Sequence, residues 1–160
     1  MLEKIPIYVY VIFVFLLFLG IYYTKDRKTT YQKTFIFPIV FGIFAIYGIS
    51  NFGFSYHNIF FILGIFLGYI FGKILWKKKN FSCENGFIII QGSIIPILYM
   101  MGIFLVKFIF GYLQARFPDI SHNFYFLFSV NISYGIFFGI MLKRIEIIQE
   151  IYNNYKKGII

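Results

Sequence analysis

Five apolar runs, each near the length of a membrane crossing, follow one another along this chain with only short polar segments between them. A spanning helix takes about 20 mostly apolar residues. The runs lie at 5–23, 35–51, 59–76, 93–115 and 124–142. Of the 160 residues 60% are hydrophobic and 13% charged, against roughly 45–50% and about 25% in a soluble domain. The expected fold class is therefore an all-α membrane protein with five transmembrane helices, forming one integral membrane domain over 1–160.

The first run could be taken for a signal peptide. Its apolar stretch exceeds the usual secretory core, and Tyr22-Tyr23-Thr24-Lys25 offers no small-residue cleavage site. It reads as an uncleaved first helix. The fourth stretch, 87–115, has 29 residues and would make a helix of about 43 Å against a hydrocarbon core of roughly 30 Å. Something must interrupt it. Asn85-Gly86 is a hairpin-turn pair, Phe87-Ile88-Ile89-Ile90 is strand-prone, and Gly92-Ser93 reads as a break and then a helix cap. A short cytoplasmic β-hairpin is expected near 81–91, with the fourth helix starting near Ser93 and Pro96 in its first turn. The rival reading starts a steeply tilted helix at Phe87. Beyond Lys143-Arg144, Ile148, Ile151, Tyr152 and Tyr155 recur at helical spacing. An amphipathic cytoplasmic tail that continues the last helix is expected over 143–160, lying on the membrane or on a partner.

Charge orients the bundle. Twelve Lys and Arg fall at or beyond the ends of the first, third and fifth runs, counting Lys73 in the last turn of the third, and only Lys4 and Arg116 fall on the other side. Cytoplasmic loops carry the excess of Lys and Arg, which places the N-terminus outside and the C-terminus in the cytoplasm. The same clusters account for the net charge of +9. Nucleic acid is therefore not an expected partner, because no soluble fold presents the basic residues as a face. The expected partners are the lipid bilayer, anionic lipids at the cytoplasmic basic loops, and either a second copy or another membrane protein.

Lys107 is the one cation deep within an apolar run, and no Asp or Glu lies in any run to pair with it. A cation at that depth either faces a cavity or partner, or snorkels to the interface. With Asn131 it forms the candidate polar intramembrane site. Gly135 and Gly139 follow Asn131 at intervals of four, and Gly64, Gly68 and Gly72 form a second such stripe. Small residues in this pattern let helices approach closely, within one chain or between chains. His57 and His122 fall in the outer loops without companion ligands, and Cys83 is the only cysteine. No metal and no cofactor is expected, and no catalytic motif for hydrolysis or phosphate binding occurs.

The run from Ser82-Cys83-Glu84-Asn85-Gly86 through Gln91-Gly92-Ser93, followed by Lys107 and by Gly111 to Pro118, resembles small multi-pass bacterial inner-membrane proteins of families whose function is undefined. The resemblance implies the bacterial cytoplasmic membrane and no particular activity. A looser similarity to small membrane proteins of cytochrome c maturation implies a redox role, against which the missing thiol pair counts. Two functional expectations lead, ahead of a third, a lipid-active enzyme whose polar groups cluster at one interface within reach of a head group. One is a non-enzymatic membrane component or complex subunit held by its glycine faces. The other is a small oligomeric transporter or channel with its site at Lys107 and Asn131.

Overall fold

The computed structural model describes residues 7–50 and 58–158, with the side chains of all of these except 8, 37, 40, 41 and 44–50. His57 and the end of the second expected run lie outside the described residues. The elements are α1 (Ile7–Tyr22), β1 (Arg27–Thr30), α2 (Tyr31–Ser50), α3 (Ile59–Leu75), β2 (Phe81–Glu84), β3 (Phe87–Ile90), α4 (Ile95–Arg116) and α5 (Phe124–Lys156). The described chain is mostly helical, with five helices and one small sheet. Two of the helices, α4 and α5, are long and apolar enough to cross a membrane; Ile59–Leu75 and most of α1 are apolar but shorter.

The hairpin forms where the sequence breaks its long fourth stretch. Asn85 and Gly86 both have positive φ, 51° and 77°, the combination a two-residue type I′ turn requires. The chain then passes Gly92, and α4 begins at Ile95 with Pro96 in its first turn, where a missing N–H costs nothing. A helix running from Phe87 is thereby ruled out.

A third strand joins this hairpin. Residues 27–30, part of the basic segment after α1, pair antiparallel with β3, giving the order β1-β3-β2. The β-branched Thr29 and Thr30 suit a strand. Asp26 closes the edge by accepting the Gly92 N–H at 2.6 Å. Because β1 hands over directly to α2, that helix starts four residues before the expected 35, and Pro38 falls inside it. The Thr34 carbonyl thus loses its helical donor.

Helix directions follow from the contacts. α3 and α5 run parallel: Gly64 meets Ile132 and Gly135, Gly68 meets Ile136, and Gly72 meets Ile140. α1 and α4 run antiparallel, with Gly20 against Ile97 and the Phe13 and Phe104 rings 5.5 Å apart. α2 opposes α5, with Tyr31 stacked on Tyr152 at 4.2 Å. The ends of α1 and α3 and the starts of α2 and α4 therefore gather at the sheet.

The tail corrects an expectation. It continues the last span within a single helix, α5, of 33 residues, about 50 Å long. Its distal stripe, Ile147, Ile148 and Ile151, is buried with Phe81, Cys83, Ile88 and Ile90 of the sheet rather than lying on a membrane or partner. The sheet offers an apolar inner face that must be covered, and the stripe covers it. Ile88 is wholly buried, a contribution of about 1.5–3 kcal/mol for one such side chain. The core sits under the sheet; the helices above it carry Val11, Phe15, Ile62, Phe66, Leu105 and Ile109 exposed on their outer sides.

Candidate functional site

Where all five helices meet the sheet there is a cavity of about 320 Å³. Four cations line it: Arg27, Lys28, Lys33 and Arg144. None of the five Asp and Glu side chains among the described residues does. Two glutamates on the far side are already engaged, Glu146 with Lys143 at 3.0 Å and Glu150 with Lys78 at 2.5 Å. Asp26 is turned to the Gly92 amide.

Arg144 is the centre of the arrangement. It stands on the buried stripe of α5, one turn before Ile147 and Ile148, and is only 7% exposed. Its Nε is buried with no hydrogen-bond partner. Its guanidinium lies over the Trp76 ring, 5.1 Å from the centroid. That contact is worth about 0.5–2 kcal/mol, whereas burying an ion costs several kcal/mol. The indole does not balance the charge. Burial, with the neighbouring charge of Arg27 adding to it, pulls the Arg144 pKa down to about 10, so it stays protonated at neutral pH.

The sheet places the second guanidinium. Arg27 opposes Ile90, which opposes Phe81, across the two ladders. Residues paired this way point to one face, and Ile90 and Phe81 face the core. Arg27 is thus held over the cavity, stacked on Tyr23 at 3.9 Å. Its pKa is lowered by burial, with the Tyr23 and Tyr22 phenols opposing the shift. The Trp76 indole N–H, also at the lining, is a second buried donor without an acceptor. Tyr99 closes the floor, its hydroxyl donating to the Phe137 carbonyl at 2.7 Å. Convergent donors and positive charge unbalanced among the described residues make this a candidate anion site.

The residues singled out from the sequence lie elsewhere. Lys107 is exposed on α4, and Asn131 is buried on α5. The Asn131 amide donates to the Leu127 carbonyl of its own helix at 2.8 Å, and its Oδ1 is buried without a donor. The two side chains are not bonded to each other. Gly64, Gly68, Gly72, Gly135 and Gly139 are all buried at one interface between α3 and α5 of the same chain. Among the described residues, no three His, Cys, Asp or Glu side chains converge on a point.

Sequence reading passed over Arg27 and Arg144 because both belong to clusters that topology alone explains. A signal was present: the apolar stripe that includes Ile148, extended back one turn, lands on Arg144. No curated protein and no solved structure matches the chain. Residues 1–154 match a family of unknown function, DUF6622, and the chain belongs to that family.

Proposed function

We propose that this chain is a non-enzymatic, five-span protein of the bacterial cytoplasmic membrane that binds an anionic group in the cavity beneath its sheet. The observation that carries the reading is Arg144, a buried cation with no carboxylate beside it among the described residues. An anion in the cavity would supply the missing charge and accept from the buried donors, and charge-assisted hydrogen bonds of this kind are about twice as strong as neutral ones.

Several features support the membrane placement. The apolar stretch of α4 is only 11% buried, the reverse of a soluble core helix, and apolar surface on this scale seeks lipid. Helix directions alternate as five crossings require. The basic segments 25–33, 73–79 and 143–157 gather at the sheet end, as a cytoplasmic face would have them. Tyr22, Tyr23 and Trp76 end α1 and α3 there, at the level an aromatic belt occupies. Helices of 16 and 17 residues span about 24–26 Å, short of the roughly 30 Å core by an amount that interfacial aromatic ends accommodate.

The test is thermal unfolding of the purified protein with inorganic phosphate against chloride at equal ionic strength. Phosphate should raise the midpoint, by about 2.7 kcal/mol of stability at a hundredfold excess over Kd. The rise should be lost in Arg144→Met. Equal midpoints in the two salts, or an undiminished rise in the variant, would remove the proposal.

A further inference from the structure

We infer that the anion held in this cavity is the phosphate of an acidic glycerophospholipid, which enters sideways from the cytoplasmic leaflet between the end of α1 and the start of α2. The inference rests on the anion-site reading above and names its ligand.

The cavity is asymmetric. Its floor is closed by Trp76, Tyr99, Met100 and Met141, all buried. Its rim is formed by Tyr22, 68% exposed, and Ile36, 59% exposed, together with the exposed Lys28 and Lys33. Tyr22 is the last residue of α1, and Ile36 lies in the second turn of α2. The opening is thus flanked by apolar side chains next to cations, the pairing that a phosphate joined to acyl chains would meet. A free anion needs only the cations. An amphiphile uses both.

Size points the same way. The space of about 320 Å³ corresponds to roughly ten waters. It takes a phosphate ester with its glycerol but not a pair of acyl chains, which would stay outside against Tyr22 and Ile36.

Charge selects among lipids. A choline or ethanolamine headgroup brings its own cation, which would need a carboxylate or an open aromatic face. Among the described residues no carboxylate lines the cavity, and inside the rim guanidinium groups already lie over Tyr23 and Trp76. A headgroup with net negative charge meets no such conflict.

The test uses the full chain in bilayer nanodiscs of phosphatidylcholine with a minority of phosphatidylglycerol, released for native mass spectrometry. Wild type should retain one phosphatidylglycerol in preference to phosphatidylcholine, and inorganic phosphate should compete with it. Arg144→Met and, as a variant outside the packed core, Arg27→Gln should each cut retention by at least about tenfold. Lys79→Gln, exposed and away from the cavity, should not. Retention that is unchanged in Arg27→Gln, or that shows no preference for phosphatidylglycerol, overturns the inference. If inorganic phosphate stabilises the protein through Arg144 while phosphatidylglycerol neither binds nor competes, the ligand is a soluble anion and only the lipid assignment falls. If neither binds, the anion site falls with it.

Discussion

The guanidinium of Arg144 lies 5.1 Å from the centroid of the Trp76 ring, and each residue carries a buried N–H that no acceptor of the described chain satisfies. The pair joins the sheet-side continuation of α5 to the end of α3, so the cavity is tied to the helix interface that holds the bundle together.

That interface should be intolerant of a single methyl group. A Cβ on Gly68 would come within 2.7 Å of the Ile136 backbone, which cannot yield as a flexible side chain can. Gly68→Ala should cost about 1–3 kcal/mol as overpacking. Gly111→Ala, with nothing within 4 Å, should be neutral or stabilising by up to about 1 kcal/mol. Unfolding of both variants by denaturant titration in detergent micelles separates the two outcomes.

Asn131 should be replaceable. Its Oδ1 is buried without a donor, a situation that costs about 1–3 kcal/mol, and its amide serves only its own helix. Asn131→Leu, of similar size, should leave the midpoint unchanged or raise it, whereas Asn131→Asp should lower it by burying an unpaired charge. A marked loss of stability in the Leu variant would mean that the amide has a role beyond its own helix.

The hairpin turn should be selective. Asn85 sits at φ 51°, a conformation costing most L-residues about 1–2 kcal/mol. Asn85→Val should loosen the sheet by about that much and speed hydrogen exchange at 81–90, whereas Asn85→Gly should not. Faster exchange confined to the helices would contradict the placement.

Acid should weaken the α3–α5 contact at its sheet-side end. The Tyr69 hydroxyl donates to Glu146, and that bond, with the one from Lys143, holds the carboxyl below its ordinary value of 4.5. A depressed carboxylate contributes its full stability above 4.5 and loses it as pH falls through the depressed value. The Glu146 side chain is 46% exposed, so screening keeps the effect small. The difference in unfolding midpoint between wild type and Glu146→Gln should be present at neutral pH and should close in acid. A difference that persists at low pH would assign it to packing.

The sequence determined the features that depend on neighbours in the chain. Apolar runs forced helices, because only internal hydrogen bonding satisfies the backbone in apolar surroundings. Asn85-Gly86 forced a turn by its backbone preference, and Gly92 with Pro96 set where α4 begins. What the sequence could not decide was which surfaces meet. The segment at 27–30 is basic and became a strand only because β3 offered an open edge. The glycine stripes could have served two chains or one, and the fold brought them together between α3 and α5. Arg144 looked like one charge of a topological cluster until the sheet closed over it. Its burial is a property of tertiary packing, since the same residue on the same helix would be solvated if Ile88, Ile90 and Phe81 had not needed Ile147, Ile148 and Ile151 to cover them.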